Sequence, residues 1–448
     1  MVGLKIMKRA GILLTLALGL LLSLTLFGME KPNLIIISVD TLRQDHLGIY
    51  GYSRNTSPNI DKLLKKGAWF TEAHCNIPLT NPGFSSMMTS KYAHETGAVR
   101  NGIPMLTEPK TLAEILKANG YTTCAILSNW PLKAHLSNLN QGFDLYDDDF
   151  SKKRWLFFND ERDAQGVSQN AINWLESNPK PPFFLWVHFS DPHAPYLCHR
   201  GFSFYDPKNP KTEAQKRIDA YDSEIAYADH YIGILLEKIQ ELKLDKNSLM
   251  VFLADHGEHL GEHSYVGHGR YVHEPSLRIP FGLSGPGIPV NHKVSAQVEL
   301  LDLAPTMLSY ANITPEPDMR GRNLLPYLKG EKPWPQQYLI FYETYAGAVR
   351  IEELGKIREQ TKPLWVGLKL DDLKVSYSLS NSRWEMFYLE SDPGELKNLS
   401  DPKDPIFIQN SELLLEWYRS FKEKAVLGKT DQLTQEDKKK MKALGYLK

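Results

Sequence analysis

NLIIISVD, residues 33–40, decides the fold: seven residues dominated by isoleucine and leucine, closed by an aspartate. β-Branched side chains favour extended backbone, and an apolar run without polar alternation suits a strand covered on both faces of a parallel sheet. Two later stretches repeat the design. FFLWVHF (Phe183 to Phe189) runs into Ser190, Asp191, Pro192 and His193, and SLMVFLA (Ser248 to Ala254) runs into Asp255, His256 and Gly257. Helical stretches separate them. Ser57, Pro58 and Asp61 open one that closes at Gly67, and Thr111 to Asn119 forms another, stopped by Gly120. A strand from Tyr121 to Leu127 follows and ends near Ser128 and Asn129. From about Glu213 to Lys243, Ile218, Tyr221, Ile225, Ala228, Ile232, Leu235, Leu236 and Ile239 recur at spacings of three and four, a long amphipathic helix whose stripe is packing. This alternation predicts an α/β fold with a mainly parallel sheet.

Ligands of open α/β sheets lie beyond the carboxyl ends of the strands. Three such ends here carry Asp40, then Asp191 with His193, then Asp255 with His256. Any one of these acids alone reads as a turn or helix cap. Together they point to one pocket whose carboxylate and imidazole donors suit a divalent metal.

Four segments carry a resemblance: VDTLRQDHLGIYGYSRNTSPNIDKL (Val39 to Leu63), LTNPGFSSMMTSKYAHETG (Leu79 to Gly97), DPHAPY (Asp191 to Tyr196), and ADHGEHLGEH with GHGRYVHEPSLRIP (Ala254 to Pro280). In that order they resemble the sulfatase family of the alkaline phosphatase superfamily. Weaker matches run through LLDLAPTML (Leu300 to Leu308), RGRNLLP (Arg320 to Pro326), EMFYLESDPGELKNLS (Glu385 to Ser400) and ALGYL (Ala443 to Leu447). The resemblance implies an alkaline-phosphatase-like α/β/α sandwich and a metal-dependent hydrolase of sulfate or phosphate esters on a small molecule or glycan.

Residue by residue, the resemblance makes Asp40, Asp255 and His256 metal ligands. Thr41 stands where some relatives have a second acid, so one calcium ligand is missing; with His256, this favours zinc or manganese over calcium. The family nucleophile sits in Cys-x-Pro-x-Arg or Ser-x-Pro-x-Arg and is oxidised to formylglycine. The matching residues are Thr80-Asn81-Pro82-Gly83-Phe84, and a threonine, with a methyl on its β-carbon, cannot yield the aldehyde. Cys75 does not restore the motif, because Pro78 is one position too far from it. Thr80 is therefore expected to act directly, as metal ligand and nucleophile, with Pro82 in the first turn of a helix; the rival role is a helix N-cap only. His193 and His268 match positions that contact ester oxygens or hold a second metal, though a lone histidine is often a structural residue. Of His188, His259, His263 and His273, several are expected on the rim. Phe84 replaces an arginine or histidine and Asn129 falls near a lysine, so two cationic sulfate contacts are missing. That ranks phosphate monoester or diester cleavage ahead of sulfate cleavage. Two rivals are a membrane-anchored transferase that moves a phosphoryl headgroup from lipid to glycan, and a catalytically dead relative that grips sulfated or phosphorylated glycans.

The remaining sequence sets bounds. A chain of 448 residues suggests two or three units. Lys329, Gly330, Pro333, Trp334 and Pro335 read as a linker between a catalytic α/β body at 31–328 and a smaller C-terminal α+β subdomain at 335–448. Within the latter, Tyr338 to Tyr342, Trp365 to Leu370 and Trp384 to Leu389 predict a small antiparallel sheet, and Gln409 to Lys424 a closing helix; the charged run Glu436 to Lys440 is a solvated face. With 52 basic and 53 acidic side chains the net charge is −1, which provides no field for a nucleic acid. The three cysteines match neither a zinc motif nor a disulfide framework. Lys5, Lys8 and Arg9 precede an apolar run from Ala10 to Phe27, so residues 1–30 read as a signal peptide or a single membrane anchor. The body is then extracytoplasmic, periplasmic or secreted, and touches a membrane only through this segment.

Overall fold

Each of the three apolar runs is a strand in the computed structural model, which describes residues 31–150, 161–204, 212–345 and 362–422. The first run, β1 (Asn33–Val39), lies at the centre of an eight-stranded sheet with all seven side chains buried. The other strands are β2 (Ala68–His74), β3 (Thr122–Ile126), β4 (Leu145–Asp147), β5 (Phe183–Phe189), β6 (Ser248–Ala254), β9 (Phe281–Ser284) and β10 (His292–Glu299); β7 (His259–Leu260) and β8 (Val266–Gly267) form a separate two-stranded ribbon. The order across the large sheet is β10-β2-β9-β6-β1-β5-β3-β4. Every pairing is parallel except those of β9 with β2 and β6.

Register explains the site. Val39 pairs with Phe189 on one side and Ala254 on the other, so β5, β1 and β6 end level and the next residues, Ser190, Asp40 and Asp255, emerge side by side. Helices follow the expected signals. Thr111 caps Leu112–Ala118 through a capping box with Glu114, and Pro58 opens Pro58–Lys65. The long stripe forms Glu213–Glu241, which packs against the Ala164–Glu176 helix. The helix Thr80–Thr89 is buried along its whole length.

A second sheet of β11 (Leu339–Thr344), β12 (Trp365–Leu370), β13 (Leu373–Ser378) and β14 (Arg383–Tyr388) is antiparallel throughout. Phe407 and Leu414 of the helix Pro405–Lys422 pack with Val366, Leu368, Val375 and Met386. That helix begins earlier than Gln409 because Pro405 suits a first helical position and Asp404 accepts a hydrogen bond from the Ile406 amide. Ile340, Tyr342 and Trp365 share one hydrophobic interior with the large sheet. Among the described residues, no helix is long and apolar enough to cross a membrane. The Ala10 to Phe27 run, the Glu436 to Lys440 run and Ala443 to Leu447 lie outside the described residues.

Candidate metal centre and active site

The chain turns sharply where β1 ends. Thr41 has φ 56°, a left-handed conformation unfavourable for a β-branched residue, so other contacts must hold it. Its hydroxyl donates to the Asp40 carbonyl at 2.7 Å, and the Tyr221 hydroxyl donates to the Thr41 carbonyl at 2.7 Å while accepting the Arg43 amide at 2.8 Å. Asp40 itself extends the ladder, its amide donating to the Phe189 carbonyl at 2.8 Å. Beyond β6, Gly257 is required for space: a Cβ there would lie 2.2 Å from the Pro275 carbonyl oxygen. These constraints aim Asp40, Asp255 and His256 at one point.

One donor atom from each of these three residues lies within 4.8 Å of the others, and all three side chains are fully buried. His256 Nε2 is 3.4 Å from Asp255 Oδ2 and 3.6 Å from Asp40 Oδ1. Metal bonds of about 2.0–2.2 Å in a tetrahedral arrangement imply ligand separations of roughly 3.3–3.6 Å, which these distances match. His256 Nδ1 donates to the Gly257 carbonyl at 2.9 Å, so its proton is held there and Nε2 faces the acids as a free base. Asp40 Oδ1, both Asp255 carboxylate oxygens, His256 Nε2 and Thr80 Oγ1 are buried without a hydrogen-bond partner. Orphaned buried donors and acceptors are costly unless something outside the chain satisfies them. Burial pushes Asp255 up to about 8; burial and then the Asp255 charge raise Asp40 well above the carboxylate range. Burial and then His268 hold His256 well below its ordinary value. The residues therefore fit a divalent cation.

Thr80 is the first residue of the Thr80–Thr89 helix, and Leu79 occupies the cap position. The N-cap role is thereby excluded for Thr80, because Asn101 Oδ1 receives the free Asn81 amide at 2.9 Å instead. One turn on, the position of a Cβ on Gly83 would be 3.6 Å from the Asp255 carbonyl oxygen, so the first turn of this helix rests on the metal-ligand loop. Next to it, the His268 ring lies 4.5 Å from the His256 ring and 5.3 Å from the His193 ring. Glu258 Oε1 is 3.2 Å from His268 Nδ1, and His193 Nδ1 donates to the Ala194 carbonyl at 2.8 Å with Glu161 4.0 Å away.

Asp191, although it follows β5, does not join this centre. Its Oδ1 accepts the Ala164 amide, and it groups instead with His199 and Glu224. The rim expectation holds only for half-exposed His263. His188 is fully buried with its ring 5.0 Å from the Phe84 ring, and burial pushes it down to about 3; His259 is fully buried too. His273 is buried as well, its Nε2 3.3 Å from Glu385. Phe84 belongs to this aromatic packing and also touches Trp186, so its position is filled by core rather than by a cation. Sequence reasoning missed what Asn129 does: its side-chain amide donates to Asp40 Oδ2. The signal was there, since Asn129 follows β3, the neighbour of β5.

The family model described as Sulfatase matches residues 32–313, and one described as N-sulphoglucosamine sulphohydrolase, C-terminal, matches residues 261–415. An ulvan-active sulfatase of Formosa agariphila is 29% identical over 339 residues, 68% of this chain and 66% of that protein. A Δ4,5-hexuronate-2-O-sulfatase of Bacteroides thetaiotaomicron is 25% identical over 445 residues, 87% of this chain and 89% of its own length. The phosphonate monoester hydrolase of Agrobacterium radiobacter superposes with a TM-score of 0.73 at 18% identity, covering 87% of this chain and 96% of that one.

Proposed function

The chain belongs to the sulfatase family of ester hydrolases, in the alkaline phosphatase superfamily, and from that premise we propose that Thr80 is its nucleophile and phosphorus esters its preferred substrates. The observation that carries this reading is the set of buried, unpartnered atoms at the strand ends, Asp40 Oδ1, the Asp255 oxygens and His256 Nε2, with the likewise unpartnered Thr80 Oγ1 opening the helix whose Gly83 packs on Asp255. Asp40, Asp255 and His256 would hold a divalent cation, whose charge would acidify the Thr80 hydroxyl and offset the ester oxygens. Thr80 Oγ1 then forms a bond to phosphorus or sulfur in line with the leaving oxygen, whose bond breaks as the alcohol departs with a proton. His193 and His268, in a row with His256, face the remaining ester oxygens and stabilise the charge that builds there. Water hydrolyses the threonine ester and restores the hydroxyl. The apolar run Ala10 to Phe27 behind Lys5, Lys8 and Arg9 supports work outside the cytoplasm.

Phosphorus is placed ahead of sulfur because Thr80 cannot form the aldehyde and because Phe84 and Asn129 offer no cation. The test is a screen of p-nitrophenyl phosphate, bis-p-nitrophenyl phosphate and p-nitrophenyl sulfate with added zinc, manganese or calcium. Turnover of a phosphoester that leaves a mass adduct on Thr80 upholds the reading. Turnover of the sulfate ester alone reverses the preference, and full activity in Thr80→Ala rejects the nucleophile.

A further inference from the structure

Asn129 follows β3 and precedes the short helical turn Trp130–Leu132, a position where an asparagine side chain ordinarily caps the turn. It makes no such bond. Its backbone is pinned by a bridge to Glu161, and next to it Ser128 exchanges hydrogen bonds with Arg162. Side chain and backbone together are buried, and the amide nitrogen is directed instead onto Asp40 Oδ2. In the ionised form that a cation requires, a carboxylate oxygen can only accept, and the amide nitrogen is the group that faces it. The two oxygens of Asp40 are thereby divided: Oδ2 is taken by Asn129, while Oδ1 is unpartnered and 3.6 Å from His256 Nε2.

We propose that Asn129 is a positioning residue of the metal centre, holding Asp40 so that it presents one oxygen, Oδ1, to the cation. The inference rests on the reading of Asp40, Asp255 and His256 as a metal site. Residues that orient a ligand in this way are commonly worth about 10–100-fold in metal affinity.

The test measures binding rather than turnover. Zinc affinity of the full chain is determined by competition with a chromophoric chelator, and the visible spectrum is recorded with cobalt(II) in place of zinc. Asn129→Leu keeps the volume but removes the donor, so it should fold; Asn129→Ala is the second variant. Both should bind zinc about 10–100-fold more weakly. Their cobalt bands should lose intensity as a freed Asp40 binds through both oxygens and raises the coordination number. Affinity within twofold of the parent and an unchanged cobalt spectrum in either folded variant overturns the proposal. A parent chain that binds no metal, with Asp40→Asn indistinguishable from it, sinks the metal centre itself and this inference with it. Tight binding in the parent that Asn129→Leu leaves intact sinks the inference alone.

Discussion

Two groups of buried charge in this chain are built on opposite principles. At the strand ends, Asp40 and Asp255 sit with a neutral imidazole and carry oxygens that nothing in the chain satisfies. Between the large sheet and the C-terminal sheet, Lys374 Nζ lies 2.9 Å from Glu274 and 2.9 Å from Glu395, and His74 Nε2 lies 2.9 Å from Glu274. Glu395 also accepts the Glu274 backbone amide at 2.7 Å. Lys374, on β13, is as deeply buried as the acids it joins. Both groups bear the desolvation penalty of interior charge, yet only one meets it with the chain's own counter-charges. The acids at the strand ends have no cation of the chain beside them, whereas Glu274 and Glu395 have Lys374.

The sharpest way to break the contrast is to remove one member from each group. Thr80→Ala should lower kcat by at least ~10⁴-fold, in the range seen when a nucleophile is deleted, while the thermal midpoint stays where it was. A hydroxyl that satisfies nothing inside the fold leaves no orphan behind when it is removed. Lys374→Met should do the reverse. It strands two buried carboxylates, so chemical denaturation should show a loss of about 3–5 kcal/mol with kcat per folded molecule retained. A Thr80→Ala protein that unfolds easily, or a Lys374→Met protein as stable as the parent, would erase the distinction.

Zinc or manganese at a hundredfold excess over its dissociation constant should stabilise the parent by about 2.7 kcal/mol. Asp255→Asn should abolish that gain while leaving the chelated protein no less stable, since it removes an acid that burial disfavours. Thermal midpoints with and without chelator decide the matter. A gain from metal that survives in Asp255→Asn places the cation elsewhere.

The two groups also differ in how far the sequence disclosed them. NLIIISV, FFLWVHF and SLMVFLA are unbroken apolar runs because both faces of β1, β5 and β6 are covered, and the acids that close them stand out by contrast. β9 is only four residues long, β10 carries exposed His292, Lys293 and Ser295 at the edge of the sheet, and LKVSYS in β13 buries a lysine, so none announces itself by hydropathy. The Lys374 group brings Glu274 to residues 100 and more positions away, Lys374 and His74, whose types are ordinarily solvated, and no local pattern encodes such a pairing. Asn129 was legible as a strand-end residue but not as a partner of Asp40, because its position fits a turn cap equally well. His188 and His259, among the histidines expected on the rim, are packed aromatics in the fold, a difference set by neighbours such as Phe84 for His188 and Tyr265 for His259.

The effect that separates the groups by sign is on pH. Burial raises Asp255 to about 8, and burial with the Asp255 charge raises Asp40, so the metal-free folded chain keeps protons that the unfolded chain has released. The stability from those protons is complete below the unfolded value near 4 and is lost as pH climbs through about 8. For Glu274, burial acts upward but Lys374 and His74 outweigh it and hold the carboxyl well below the ordinary range. That contribution is present above the unfolded value near 4.5 and disappears as pH falls through the depressed folded one. Each carboxyl can change stability by at most about 1.4 kcal/mol per pH unit. The chelated parent should therefore lose thermal midpoint between pH 6 and 9, and Asp255→Asn should flatten that limb. Metal should flatten or invert it, because the cation replaces the protons and binds better as they leave. Lys374→Met should leave the alkaline limb untouched and weaken the protection that the parent enjoys between pH 5 and 7 relative to more acid solution. If chelated parent and Asp255→Asn traced parallel curves from pH 6 to 9, the acids at the strand ends would be no more strained than any others, and the contrast between the two groups would lose its physical basis.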